Sequence, residues 1–194
     1  MLTRRGFTVV ELIVVMVIMA ILLTLAGLSI SASRANARDT QRTASVDILA
    51  RGLEARYTQG KLNQAVTVAP ANVAPGSYPS TNEMRHIMGQ SVAGFTPVQI
   101  ADGYGPAALP GTALEAFSPP GISAYTGLTL PSACTIENTT CIGGVVTKDT
   151  YYYEPIDTDG ALCNTNTKYC VRFNLYWRRE TGDTTLQTYR SKHQ

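Results

Sequence analysis

From Leu12 to Leu23 every position is apolar, and the run continues to Ile30 with only Thr24, Gly27 and Ser29 interrupting it. A helix of roughly 20 such residues crosses a bilayer. Beyond it the pattern turns amphipathic: Val46, Leu49, Ala50, Leu53 and Tyr57 recur at helical spacing, while Arg38, Asp39, Arg42, Asp47, Arg51 and Glu54 supply charge. The pattern predicts one long helix, apolar on all sides over 7–30 and amphipathic over 31–60, with Gly60 as its stop. Ala69 to Pro79 is a connection rich in Pro and Gly. Ser80-Thr81-Asn82-Glu83 then reads as a capping box for a short helix through Met88, ended by Gly89. Ser91 to Leu130 shows no period, and Pro97, Pro106, Pro110, Pro119 and Pro120 with many glycines mark it as an irregular, exposed connection.

Further on, Tyr169, Val171, Phe173, Leu175 and Trp177 alternate with Cys170, Arg172, Asn174, Tyr176 and Arg178, the period of a half-buried strand. Tyr151 to Ile156 is a strand before it, and Thr184 to Ser191 one after the Thr181-Gly182-Asp183 turn. The expected fold class is therefore α+β: a long N-terminal helix packed through its stripe on a C-terminal antiparallel meander. The chain divides into a leader at 1–6, an apolar helix at 7–30, its amphipathic half at 31–60, a variable irregular region at 61–150 and the sheet of the head at 151–194.

Composition adds bounds. In 194 residues, 44% hydrophobic and 15% charged, there is room for one head beyond the apolar segment. The net charge of +2 does not by itself imply nucleic-acid or membrane-surface binding. No Walker loop, H-E-x-x-H or G-x-S-x-G is present, and Gly103-Tyr104-Gly105 lacks the third glycine of a dinucleotide fingerprint. A non-enzymatic role, without a required cofactor, is expected.

Three readings of the N-terminus compete. A secretory signal peptide would use Ala35-Asn36-Ala37 for cleavage, but the apolar run exceeds the usual length of about 7 to 15 residues and begins beside Glu11. An uncleaved single-span anchor is the second; Arg34, Arg38 and Arg42 beyond the span outnumber Arg4 and Arg5 before it, so charge does not set its orientation. The third rests on Arg4-Arg5-Gly6-Phe7-Thr8-Val9-Val10-Glu11-Leu12-Ile13, which resembles the prepilin cleavage motif of type IV pilins and type II secretion pseudopilins. The resemblance extends to Ala37-Arg38-Asp39-Thr40-Gln41-Arg42 and to Gly76-Ser77-Tyr78-Pro79.

That resemblance implies a pilin fold, cleavage after Gly6 by a membrane prepilin peptidase, methylation of the Phe7 amine, and passage of the helix from the membrane into a fibre core. The implied partners are like subunits and an assembly platform with its motor. The implied location is the cytoplasmic membrane first and the cell surface afterwards. A buried carboxylate needs a cation, and the freed amine of Phe7 on an adjacent subunit would serve Glu11 and set axial register. Alternatively Glu11 sits at the headgroup level or is protonated. Many pilins have a Pro in the second half of the apolar segment; here Gly27 is the only helix-weakening residue, worth about 1 kcal/mol against Ala.

Cys134 and Cys141 enclose six residues, as do Cys163 and Cys170. Two local disulfides are the simplest connectivity, each worth about 2 to 3 kcal/mol, and they suit an exported head. Zinc is disfavoured, because its cysteine pairs are usually about two to four residues apart and the only histidines are His86 and His193. Asp157-Thr158-Asp159-Gly160 resembles the start of a calcium loop, and some pseudopilins bind calcium near their C-terminus; an ordinary turn is the competing reading. Asn138-Thr139-Thr140 matches the glycosylation pattern. Lys168, Arg172, Arg178, Arg179, Arg190 and Lys192 make the terminal sheet basic, either as a solvated face or for DNA capture. The long head with two small cysteine loops favours a surface pilus subunit over a pseudopilin, leaving adhesion, twitching and DNA uptake open.

Overall fold

The computed structural model describes residues 8–59, 76–88, 109, 111–122, 127–131, 146–164, 169–182 and 185–193. Helix α1 is continuous over Val9–Gln59, passing through Gly27 without a break. A helix of that length spans about 77 Å. Its second half carries the expected stripe: Val46, Leu49, Ala50 and Leu53 are buried, with Tyr57 packed at the stripe's end.

That stripe meets a four-stranded sheet in the order β1-β2-β3-β4, formed by Leu128–Thr129, Tyr151–Asp157, Cys170–Arg178 and Leu186–Arg190. The last three strands are the antiparallel meander that the alternation predicted. The sheet as a whole is mixed, because β1 runs parallel to β2 with Leu128 opposite Tyr151. A two-residue strand has no period to read, so it went unseen in the stretch expected to be irregular. Gly127 admits it: a Cβ there would overlap Pro119 Cδ and crowd the Ser118 backbone.

Strand β3 departs from the half-buried expectation. Phe173 and Leu175 join the core under α1, but Asn174 and Tyr176 on the other face are also buried, Tyr176 with Val146 and Tyr152 in a second small cluster. A register shift between Ile156 and Asp157 pairs Asp157 with Cys170 and skips Val171. Such an extra residue resets the side-chain alternation. Cys170 thereby shares the core with Phe173 although strict alternation puts it on the opposite face.

Helix α2, Thr81–Ile87, starts with the predicted reciprocal cap. The Glu83 amide donates to Ser80 Oγ at 3.2 Å and the Ser80 amide to Glu83 Oε2 at 3.4 Å. Backbone bonds from Tyr78 to Cys170 and from Thr81 to Cys163 tie the start of α2 to the sheet. A short 3-10 helix, Leu114–Phe117, packs on α1, and Leu109, Ala116, Phe117 and Leu128 are buried in the core. The described parts of this stretch are therefore not the exposed connection expected: apolar side chains carry no period there but still cover the helix. Gly52 on α1 allows that approach, since a Cβ there would overlap Thr112 Oγ1. The expected helix stops Gly60 and Gly89 lie outside the described residues.

Candidate functional site

The candidate site begins at the start of α1. Thr8 caps the helix: its Oγ1 accepts the Glu11 amide at 3.3 Å, and its carbonyl accepts the Leu12 amide. Glu11 is exposed in the first helical turn, where an acidic side chain faces the positive end of the helix dipole. The Thr8-x-x-Glu11 spacing is itself a helix-start signal, one that lies inside the basic-to-apolar motif. Gly6 and Phe7, the residues expected to be cut and methylated, lie outside the described residues.

Behind Glu11 stands the apolar half of the helix. Each large apolar side chain described from Val9 to Ile30 is exposed, from 44% at Val15 to 76% at Val9. By length and composition this segment can cross a membrane and is compatible with insertion of a precursor. Among the described residues nothing covers it.

Where α1 enters the head, the first contacts are polar. The Asp39 carboxylate accepts the Glu180 amide at 2.7 Å and the Thr181 amide at 2.8 Å, both from the turn between β3 and β4. The Thr181 hydroxyl lies 2.7 Å from Asp39 Oδ2 and 2.8 Å from Asn36 Oδ1. Arg38 grips Glu180 in bidentate fashion, at 2.9 and 2.6 Å. Arg42 donates to Asp39 Oδ1 at 2.7 Å, to Glu180 Oε2 at 3.3 Å and to the Lys148 carbonyl at 3.0 Å. Both Asp39 and Arg42 side chains are only 2% exposed. Burial pushes the Asp39 carboxyl up, but the Thr181 hydroxyl, the two amides and Arg42 together outweigh it and bring it down to about 2. The Arg38 guanidinium holds Glu180 at about 2 as well, against some desolvation.

Two more polar links continue along the helix. Arg56 pairs with Glu83 of α2, both side chains almost fully buried. Glu54 accepts the Tyr78 hydroxyl at 2.9 Å and the Lys192 amide at 2.8 Å, while His193 stacks on Tyr57 with ring centroids 4.1 Å apart. The amphipathic pattern counts Asp39 and Arg42 among the residues that supply charge and leaves Arg56 out. The signal was spacing: Asp39, Arg42, Val46, Leu49, Leu53 and Arg56 follow one another at steps of three and four, so the buried stripe extends into charged residues at both ends.

The other expected sites fall as follows. Cys163 and Cys170 form a disulfide with their Cα atoms 5.7 Å apart; Cys134, Cys141 and Asn138 lie outside the described residues. Asp157 Oδ1 accepts the amides of Asp159 and Ala161, each at 2.9 Å, in a turn completed by Gly160 at φ 81°. Among the described residues no group of three or more His, Cys, Asp or Glu side chains is placed to hold a metal. Strand register puts Arg172, Arg178 and Arg190 on the sheet face away from α1, where Arg178 donates to the Val146 carbonyl at 2.8 Å. Lys168 lies outside the described residues.

Residues 1–27 match the family model of the prokaryotic N-terminal methylation motif, the prepilin-type motif of type IV pilins and pseudopilins. The motif supports a type IV pilin-like or pseudopilin protein, and proteins of this type are structural and not enzymes. It implies processing by a prepilin peptidase and assembly into pilus-like polymers. No curated protein and no solved structure matches the chain.

Proposed function

We propose that this chain is a structural subunit of a type IV pilus filament, cut after Gly6, methylated at Phe7 and assembled through the apolar half of α1. The observation that carries the reading is the continuity of the methylation motif with an apolar helical segment that the chain's described residues leave uncovered. Soluble monomers rarely expose an apolar surface of more than a few hundred Å². Lipid covers such a helix before assembly, and other copies of it cover the helix in a fibre. Glu11 then meets the Phe7 amine of a neighbour, which offsets the burial of its charge.

A pseudopilin of a type II secretion or competence apparatus would use the same N-terminal chemistry. The long head with its cysteine loops favours a surface pilus, serving adhesion, twitching or DNA uptake. In cells that make the chain, mass spectrometry of the mature protein should find Phe7 as first residue. A start at Arg38 would identify a signal peptide, and an intact Met1 an uncleaved anchor. Glu11→Ala should leave the head folded and sharply reduce fibre yield; normal fibres from that variant would remove Glu11 from assembly.

A further inference from the structure

Among the described residues, the neck of the molecule, where α1 leaves the head, is held by hydrogen bonds and not by apolar packing. Residues 30–34 are exposed, and the first buried side chain on the way into the head is Asp39. The first buried large apolar side chain is Val46, seven residues further. Beside the neck, packing is open: a groove of about 350 Å³ separates Thr40 and Thr43 of α1 from Trp177 and Gln187 of the sheet. The hydroxyls of Thr40 and Thr43 turn back to the carbonyls of Asn36 and Asp39 on their own helix. The attachment at this level therefore falls on Asn36, Arg38, Asp39 and Arg42 against Glu180, Thr181 and the Lys148 carbonyl.

These bonds have a directional character that apolar contact lacks. Hydrophobic burial is non-directional, so a helix held by it alone can roll or slide at modest cost. A bidentate Arg–carboxylate pair fixes angle as well as distance. Here one such pair, Arg38 with Glu180, works beside a second set of directional bonds between the helix and the same turn. Asp39 takes both amides of the turn, and the same turn's Glu180 returns to Arg38 and Arg42. Rotation or axial shift of α1 breaks several charge-assisted bonds together. Buried ion pairs are weak contributors to net stability, and fixing a geometry is their better-attested use.

Resting on the filament reading above, we infer that the turn between β3 and β4, through Glu180 and Thr181, is a collar that fixes the direction in which the head carries the projecting half of α1. Asp39, Arg38 and Arg42 are its positioning residues on the helix. Geometry shows why direction matters for packing. Val9 lies 30 residues before Asp39, a lever arm of about 45 Å, so a tilt of about 10° at the collar displaces its tip by about 8 Å. Helices pack with axes about 8–10 Å apart. A loose neck would thus misplace the apolar half by nearly one helix spacing.

The test uses the full chain in detergent micelles, with nitroxide-bearing unnatural residues at Ile30 and Thr188, both exposed. Ile30 lies on the head side of Gly27, so bending at Gly27 does not enter the measurement. Electron-electron dipolar spectroscopy then reads the distance between the labels. The unmodified collar should give one narrow distribution. Glu180→Ala should broaden it by about 2 Å for every 10° or so of added tilt, given the roughly 14 Å from Ile30 to Asp39. The head's near-ultraviolet circular dichroism should persist.

If Glu180→Ala unfolds the head, Arg38→Met decides: Arg38 is partly exposed, and Glu180 keeps Arg42 when it is removed. A broadened distribution with reduced or irregular fibres supports the collar in assembly. Broadening together with normal fibres overturns its role in assembly. An unchanged width in a folded variant overturns the collar itself, whatever the fibres do. If even the unaltered chain makes no fibres, the filament reading fails, while the distance measurement still judges the collar.

Discussion

Removing the Glu83 carboxylate should unfold the head far more readily than its place on a seven-residue helix suggests. Glu83 and Arg56 are in direct contact across α2 and α1, with side chains 4% and 3% exposed. In Glu83→Ala the Arg56 guanidinium keeps its burial and loses this carboxylate. Breaking a buried pair from one side costs about 3–5 kcal/mol. The return bond of the cap, from the Ser80 amide to Glu83 Oε2, disappears too, adding up to about 1 kcal/mol. A helix as short as α2 cannot hold itself by propensity. At about 2–4 °C per kcal/mol for a chain of this size, the melting temperature should fall by about 10 °C or more.

The informative control replaces both partners. In Arg56→Met with Glu83→Leu no charge is stranded, and such replacements are often neutral or better, so the double variant should recover most of the loss. The assay is thermal unfolding of the full chain in mild detergent, followed by near-ultraviolet circular dichroism so that α1 does not mask the head. The reasoning is wrong if the single variant loses less than about 1 kcal/mol, or if the double variant is no more stable than the single.

Three further outcomes follow from the same geometry. Asp39 and Glu180 titrate near 2, below ordinary values of 3.8 and 4.5, so their stabilisation is present above about pH 4 and is lost as pH falls toward about 2. Melting temperature measured against pH should drop across that window, and less so in Asp39→Asn at the acid end; an identical profile would exclude these groups as the cause. Gly52→Val should destabilise the head by about 1–3 kcal/mol, read as a lower denaturation midpoint, because its Cβ overlaps Thr112 Oγ1 and crowds Leu109; an unchanged midpoint would mean that the 109–117 segment yields freely. If calcium binds at Asp157 and Asp159, a chelator should lower the melting temperature. No shift would return this loop to an ordinary turn in which Asp157 accepts the amides of Asp159 and Ala161.

Legibility in the sequence followed the range of the signal. Period and caps are local, so the stripe from Val46 to Leu53, the Ser80–Glu83 cap and the three-strand meander could be read directly. Pairings between distant segments could not. Nothing near Asp39 announces Glu180, which is 141 residues away, and a charged residue is read by default as solvated. The step of three and four from Val46 back to Arg42 and Asp39 was available as a warning that these charges face inward. The bulge at Val171 was hidden for a different reason: alternation assumes an unbroken register, and one extra residue moves Cys170 to the core.

The energetics of the exposed helix half also constrain how assembly would be driven under the proposed function. Val9 to Ile30 leaves lipid for a bundle of equally apolar helices, so the hydrophobic gain is nearly the same on both sides and supplies little net force. What differs between the two environments is polar. Glu11 is near the end of the span, costly in hydrocarbon as a charge and compensated as a carboxylate where a cation meets it. The head adds contacts only if its orientation is right, and that orientation is set by the collar at Asp39 and Glu180. Enlarging the apolar surface should therefore leave fibre yield almost unchanged, as in Val14→Leu or Val17→Leu, whereas Glu11→Gln should lower it several-fold. Quantified by sheared-fibre yield at matched expression, the reverse ranking would show that apolar packing drives assembly and that the carboxylate is incidental.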